Sequence, residues 1–130
     1  MILAIDPGKN KCGLAVLDEK QQVFERRVLE RIQLSREVQQ LITKHRIRTV
    51  VIGRSAFGRD VEIELLRLNL KVNLVFIPET DSTRQARVRY WKENPPKGLL
   101  RFFPTSLRVP PVPVDDYAAV ILAERYLKTH

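Results

Sequence analysis

Residues 1–15 have the sequence Met-Ile-Leu-Ala-Ile-Asp-Pro-Gly-Lys-Asn-Lys-Cys-Gly-Leu-Ala, the most informative stretch of the chain. The apolar run Ile2–Ile5 predicts a buried strand, Asp6 follows it directly, and Pro7-Gly8 ends it. Gly13 then opens a second β-rich run. A carboxylate beside a core strand costs free energy unless it is paired or bound to a metal ion. On this segment alone, Asp6 is equally well interpreted as a metal ligand or as the first residue of a turn.

The composition is that of an ordinary globular domain with an unusual charge. The 130 residues are enough for one core, and 44% of them are hydrophobic and 29% charged. The 23 Lys and Arg residues exceed the 15 Asp and Glu residues, which gives a net charge of +8. Such an excess favours a polyanionic partner, above all nucleic acid, over a merely solvated basic surface. We therefore expect one domain, residues 1–130, that binds nucleic acid.

Two features of the sequence bear on the cellular compartment. Cys12 is the one cysteine of the chain, which excludes an internal disulfide and a cysteine-rich zinc site and fits a reducing compartment. Asp6 interrupts the first apolar run, so no secretory signal is expected. No apolar stretch approaches the roughly 18 residues that a membrane span needs. These features predict a cytoplasmic protein without membrane contact.

The alternation of apolar segments with turn residues predicts a mixed α/β fold. The expected strands are residues 2–6, 14–17, 23–29, 49–52 and 72–77. The expected helices run from the N-cap Ser35 to about His45, from the residue after Gly58-Arg59-Asp60 to Asn69, from Ser82 to about Trp91 and from about Val114 to Lys128. A proline-rich arm, residues 94–113, separates the last two helices. The short connection between the second and third strands favours an antiparallel hairpin, and the order of elements predicts a mixed five-stranded sheet flanked by helices.

Acidic residues stand at the ends of three of these elements. Asp6 ends the first strand, Glu79 follows the fifth, and Asp115 and Asp116 open the last helix. Ligands of α/β sheets bind beyond the carboxyl ends of parallel strands, so Asp6 and Glu79 share that edge if strands one and five are parallel neighbours. Each acid alone is more simply a turn residue, a helix cap or a partner of a helix dipole. Together, on a chain of charge +8, they favour a Mg²⁺ or Mn²⁺ site for phosphodiester hydrolysis.

Four segments, in order along the chain, resemble the motifs of one nuclease family. They are Asp6-Pro7-Gly8 with Gly13-Leu14-Ala15, Ile52-Gly53, Glu79-Thr80-Asp81-Ser82-Thr83-Arg84-Gln85-Ala86, and Asp115-Asp116-Tyr117-Ala118-Ala119-Val120-Ile121-Leu122. On these segments the chain resembles the YqgF/RuvX family, nucleases assigned to pre-16S rRNA processing and to Holliday-junction resolution. That family is related to RuvC within the RNase H-like superfamily. The Asp-Pro-Gly start is closer to the RuvC version, and Thr80 stands where the family usually has arginine.

The resemblance implies an RNase H-like fold in which the hairpin strand runs antiparallel to the rest. It implies that Asp6, Glu79 and Asp115 are the catalytic metal ligands. Asp116 is the alternative to Asp115, because a slip of one residue at a helix start is open at this point. The implied function is a metal-dependent nuclease that processes precursor 16S rRNA in ribosome biogenesis. The alternatives are a Holliday-junction resolvase and a non-catalytic nucleic-acid-binding module.

An actin-like ATPase, which shares an Asp-x-Gly start, is excluded because that group needs a much longer chain and a second glycine-rich loop. The present chain has 130 residues and five glycines. The oligomeric state follows from the substrate, since symmetric cleavage of a four-way junction needs a homodimer whereas trimming of an RNA does not. Both a monomer and a homodimer therefore stay open.

Basic residues near the acids form the candidate nucleic-acid surface. They are Lys9 and Lys11 in the first turn, Arg84 and Arg87 on the third helix, and Lys97 and Arg101 on the proline-rich arm. Arg84, Arg87 and Trp91 are three or four residues apart, which predicts one helix face. The arginines are expected to contact phosphates rather than solvent alone. Trp91 could stack on an unpaired base, but core packing is the favoured interpretation.

Overall fold

A mixed five-stranded sheet organises the computed structural model, which describes residues 1–79, 82–95 and 115–129, without the side chains of residues 82 and 83. The strands are β1 Ile2–Asp6, β2 Lys11–Leu17, β3 Val23–Glu30, β4 Thr49–Arg54 and β5 Asn73–Pro78. The helices are α1 Leu34–His45, α2 Ala56–Arg67, α3 Ser82–Glu93 and α4 Asp115–Thr129, and a 3-10 turn, Arg31–Gln33, precedes α1. Within these ranges no helix is long and apolar enough to cross a bilayer.

The strand order across the sheet is β3-β2-β1-β4-β5. Strand β2 is antiparallel to β1 and β3, whereas β4 is parallel to β1 and β5. The expected α/β class, the five-stranded mixed sheet and the antiparallel hairpin strand are confirmed. The condition stated for Asp6 and Glu79 is met only in part, because strands one and five are not neighbours: β4 lies between them and pairs with both. They are nevertheless parallel, so their carboxyl ends lie at the same edge of the sheet.

The two faces of the sheet are covered by different helices, because successive strand residues point to opposite sides. On one face, α1 and α2 enclose a core that includes Leu3, Ile5 and Leu14. On the other, α4 packs against the small residues Ala4 and Ala15, which allow it to lie close to the strands. Helix α3 packs on α4 rather than on the sheet. Thus α4 lies between the sheet and α3, and its first turn can reach the edge that carries Asp6.

Two helix starts differ from those expected. Gln33, not Ser35, occupies the N-cap of α1, where no side chain caps the helix, because the 3-10 turn already leads the backbone into it. Helix α2 begins at Ala56, because the Ser55 side chain caps it by accepting a hydrogen bond from the Gly58 amide at 3.2 Å. Strand β2 also begins earlier, at Lys11, because its pairing with β3 continues to that residue. Apart from residues 94 and 95, the expected proline-rich arm lies outside the described residues.

Candidate active site

A row of three residues, Gly13, Asp6 and Gly53, crosses adjacent strands at the carboxyl edge of β1. Asp6 pairs with Gly13 of β2, and Gly53 follows Ile52, which pairs with β1 one residue before Asp6. The alternation along each strand places all three on the face that α4 covers. A carboxylate on the middle strand of the sheet therefore has a glycine on each side.

Each of these glycines leaves room for another acidic residue to approach. A Cβ atom on Gly53 would stand 2.0 Å from Glu79 Oε1, so the Glu79 side chain lies over β4. A Cβ atom on Gly13 would stand 1.9 Å from the backbone oxygen of Asp115, so the first residue of α4 rests directly on β2. The sequence predicts the acidic residues, but it does not predict that the missing side chains of the glycines leave room for them. The available signal is that a glycine inside a strand often marks a close approach of another group.

Asp6 and Glu79 are brought together across β4, within hydrogen-bonding reach of each other. Burial, followed by the charge and contact of Glu79 and then the charge of Asp115, raises the pKa of Asp6 to about 8. Burial also raises the pKa of Glu79, and the Asp6 contact opposes that shift. Glu79 Oε1 is buried, and no donor among the described residues reaches it. Two carboxyl groups in this arrangement need either a shared proton or a cation.

Asp115 approaches the pair from the start of α4. Burial and then repulsion from Asp116 raise the pKa of Asp115, and the charge of Lys11 opposes the shift. Within the described residues, no three acidic, imidazole or thiol groups stand close enough together to ligate one ion. The oxygen atoms of Asp6 and Glu79 suit Mg²⁺ or Mn²⁺, and Glu79 Oε1, which has no hydrogen-bond partner in the described part of the chain, fits a cation. The role of Asp115 as a further ligand stays a prediction.

Asp116 has other partners. Its Oδ2 lies 2.9 Å from Arg26 Nε, and its Oδ1 accepts a hydrogen bond from the Tyr117 amide at 3.0 Å. Both carboxylate oxygens are therefore engaged within the protein. This geometry favours Asp115 over Asp116 as the third acid of the site.

The backbone that leads to Glu79 is fixed by α4. Arg125 donates a hydrogen bond to the carbonyl of Pro78 at 2.8 Å and another to Gln85 Oε1 at 3.1 Å. Pro78 is the last residue of β5 and directly precedes Glu79. One arginine of α4 therefore ties the end of β5 to α3 at the point where the acidic side chain begins.

Helix α3 carries two kinds of basic residue. Arg89 is held in place, since its Nη1 lies 2.8 Å from both carboxylate oxygens of Glu124 and its Nε lies 3.5 Å from Glu93. Arg84 and Arg87 are exposed, and neither forms an ion pair with any residue that the structure describes. They line a cavity of about 1120 Å³ along α3. Arg84 and Arg87 therefore keep their charge available for a ligand, whereas Arg89 does not.

The other basic residues and Trp91 differ in their surroundings. Trp91 is 7% exposed, which confirms its interpretation as a packing residue. Lys9 and Lys11 are exposed in and just after the turn that follows Asp6. Lys97 and Arg101 lie outside the described residues, so their place in a nucleic-acid surface stays a prediction.

Comparison with known proteins identifies the fold. No protein-family model matches the chain, and no curated protein sequence matches it. Among solved structures, the Thermus thermophilus RuvC structure matches with a TM-score of 0.55 and 14% sequence identity, over 98% of this chain and 95% of that chain. At this identity the likeness shows the fold alone. The expected RNase H-like architecture is confirmed, whereas the resemblance to the YqgF/RuvX family stays a prediction.

Proposed function

We propose that this chain is a divalent-metal-dependent nuclease that hydrolyses phosphodiester bonds in structured nucleic acid. The observation that carries the proposal is the contact between the partly buried carboxyl groups of Asp6 and Glu79 at the carboxyl edge of the sheet. Such a pair lowers the stability of the folded protein unless a proton or a cation joins it. A module that only binds nucleic acid does not need this destabilising pair of carboxyl groups, and apolar residues of similar volume would pack there more favourably.

The roles of the site residues follow from their placement. A bound Mg²⁺ or Mn²⁺ would supply an activated water and neutralise charge on the phosphate. Asp6 and Glu79 would hold the ion, and Asp115 is proposed as a further ligand brought in by α4. Lys9 and Lys11, exposed after Asp6, are proposed to contact the phosphate backbone at the cleaved bond.

The proposed partner is structured RNA or branched DNA. The net charge of +8 and the exposed guanidinium groups of Arg84 and Arg87 support a polyanionic ligand. Precursor 16S rRNA is the first candidate substrate, from the resemblance to the YqgF/RuvX motifs. A Holliday junction is the second, from the likeness to the RuvC structure and the Asp-Pro-Gly start. The proposed place of action is the cytoplasm, as a monomer on RNA or as a homodimer on a junction.

The test is a cleavage assay with Mg²⁺ or Mn²⁺ on junction DNA, precursor rRNA and linear duplex DNA side by side. The wild-type protein is expected to cut one of the first two substrates and to lose this activity in a chelator. Asp6→Asn should lower the rate at least about a hundredfold, equivalent to about 2.7 kcal/mol of transition-state stabilisation. The matched control is Glu25→Gln, which replaces an acidic residue of β3 that is engaged in ion pairs. This variant should keep the cleavage rate. Binding of nucleic acid without cleavage under any condition would favour the non-catalytic module instead.

A further inference from the structure

Arg26 lies where three elements meet. It pairs with Ala15 across β2 and β3, so its side chain lies on the α4 side of the sheet. Its Nε is 2.9 Å from Asp116 Oδ2, and its Nη1 is 3.2 Å from Glu93 Oε2. Its Cζ stands 3.9 Å from the centre of the Tyr117 ring. One side chain thus joins an edge strand to the end of α3 and to the first turn of α4.

These contacts restrain the start of α4. The Asp116 side chain is only 14% exposed, and its second oxygen accepts a hydrogen bond from the Tyr117 amide. Asp115, one residue earlier, rests with its backbone on Gly13. Because these two residues are adjacent, an anchor on the Asp116 side chain also limits where the Asp115 carboxyl group can lie.

We propose that Arg26 is a positioning residue, which acts through Asp116 to hold Asp115 next to Asp6 and Glu79. The inference rests on the proposed function in so far as Asp115 serves as a metal ligand. Residues that orient metal ligands from behind typically change metal affinity by about 10- to 100-fold when they are removed. Arg26 is suited to this role because its guanidinium group can donate to two carboxylates while it stacks on an aromatic ring.

The next residue along β3 supplies a matched control. Arg27 also forms two ion pairs, with Glu25 and with Glu37 at 2.5 Å, and its side chain is 38% exposed, compared with 36% for Arg26. It pairs with Leu14, so it lies on the opposite face of the sheet, toward α1. Arg27→Gln therefore removes a comparable set of ion pairs from the same strand without disturbing α4.

The test compares wild type, Arg26→Gln and Arg27→Gln by two measurements. The first is amide hydrogen exchange over residues 115–120, which should become faster only in Arg26→Gln. The second is the midpoint of Mn²⁺ binding, which is the Mn²⁺ concentration that half-fills the site. It is obtained by fitting the rise of the unfolding temperature with Mn²⁺ concentration and should increase about tenfold in Arg26→Gln. A role confined to overall stability would affect both variants alike and leave the Mn²⁺ midpoint unchanged.

Two further variants examine the route through Asp116. Arg26→Lys keeps the charge and should recover part of the Mn²⁺ affinity. The double variant Arg26→Gln/Asp116→Asn should have the same Mn²⁺ midpoint as Asp116→Asn alone, because each substitution removes the same contact between Arg26 and Asp116. Unchanged exchange, an unchanged midpoint or fully additive effects would overturn the inference. If wild-type protein is not stabilised by Mn²⁺ at all, the proposed metal site fails, and the exchange measurement alone decides whether Arg26 anchors α4.

Discussion

Two carboxylate clusters in this molecule have opposite electrostatic surroundings. At the sheet edge, Asp6 meets Glu79 and lies near Asp115, and burial together with these acids raises the pKa of Asp6 to about 8. No cation of the described part of the chain contributes to the shift of the Asp6 pKa. Among the described residues, only the charge of Lys11, which acts on Asp115, opposes the mutual repulsion of these acids.

The second cluster surrounds Glu25 on β3. Burial acts to raise the pKa of Glu25, but contacts from His45, Lys44 and Arg27 outweigh it and bring the pKa down to about 2. The Lys44 Nζ atom lies 3.1 Å from Glu25 Oε2, and His45 contacts the same oxygen. Here each acidic oxygen has a cationic or hydrogen-bonding partner from the chain itself.

The comparison separates charges that stabilise the fold from charges that are left for a ligand. A carboxylate surrounded by its own cations contributes to stability, since the folded state favours its ionised form. A carboxylate pressed against other carboxylates costs stability, and such a cost persists where a functional site requires it.

The most decisive variants separate Asp115 from Asp116. Asp115→Asn is expected to lower metal-dependent cleavage at least about a hundredfold, because it removes a proposed ligand. Asp116→Asn should lower it about tenfold or less, because it weakens only the anchor of α4. The measurement is kcat/KM at several Mn²⁺ concentrations. The reverse ranking would identify Asp116, rather than Asp115, as the metal ligand beside Asp6 and Glu79.

Gly53→Ala tests whether Glu79 reaches Asp6 only because Gly53 has no side chain. The new methyl group would meet Glu79 Oε1 at 2.0 Å, so the carboxyl group has to leave Asp6. We expect cleavage to fall about tenfold or more, because Glu79 no longer meets Asp6. Stability should change little, because the displaced atoms belong to a flexible side chain and the repulsion from Asp6 is relieved. Activity is measured per folded molecule, with folding followed by circular dichroism. Unchanged activity in a folded variant would show that Glu79 works without this approach.

The sequence predicts the parts of this arrangement that depend on local pattern. The apolar run before Asp6 and the proline that precedes Glu79 mark the ends of two strands, and these ends lie at one edge of the sheet. The order of elements likewise predicts the α/β class. The elements and the class are predictable because strand and helix periodicities are set by neighbouring residues.

What the sequence does not predict depends on which strands pair. The placement of β4 between β1 and β5 decides that Glu79 crosses Gly53 to reach Asp6. The contact between Arg26 and Asp116 joins residues 90 positions apart in the chain, and no local pattern indicates it. Close approaches over glycine and ion pairs between distant elements become visible only when the sheet is assembled.

Asp6→Asn should stabilise the metal-free protein at high pH. The pKa of Asp6 is about 8 in the folded state and 3.8 ordinarily, so between these values the folded state binds more protons than the unfolded state. Stability contributed by this group therefore falls as the pH rises from about 4 to about 8. In a chelator at pH 8, we expect Asp6→Asn to gain about 1 to 3 kcal/mol, discounted for the partial exposure of the group. Urea unfolding at pH 4, 6 and 8 should show the gain shrinking toward pH 4, and a loss at pH 8 would contradict it.

On α3, Arg84 and Arg87 form no ion pair with any described residue, whereas Arg89 is paired with Glu93 and Glu124. Replacing Arg84 and Arg87 by alanine should flatten the dependence of log K on log salt for nucleic-acid binding by roughly one to two units. Arg36→Ala/Arg59→Ala is the control, because it removes the same charge from exposed positions on α1 and α2. Equal slopes in the two double variants would place the binding surface elsewhere, on Lys9, Lys11 and the proline-rich arm.

The smallest effect is expected at Glu25, whose carboxylate is paired with cations of the chain itself. Glu25 has a pKa of about 2 in the folded state against 4.5 ordinarily, so its contribution is complete above about pH 4.5 and is lost as the pH falls to about 2. Glu25→Gln should lower stability at pH 7 by about 1 kcal/mol or less, because Arg27 and Lys44 are 38% and 63% exposed and water screens their attraction. Glu19→Gln, at an exposed turn position, is the control and should have no effect. Unfolding in urea measures both variants, and the deficit of Glu25→Gln should vanish toward pH 2. A gain in stability at pH 7 would mean that the Glu25 cluster, like the acidic one, costs the fold more than it contributes.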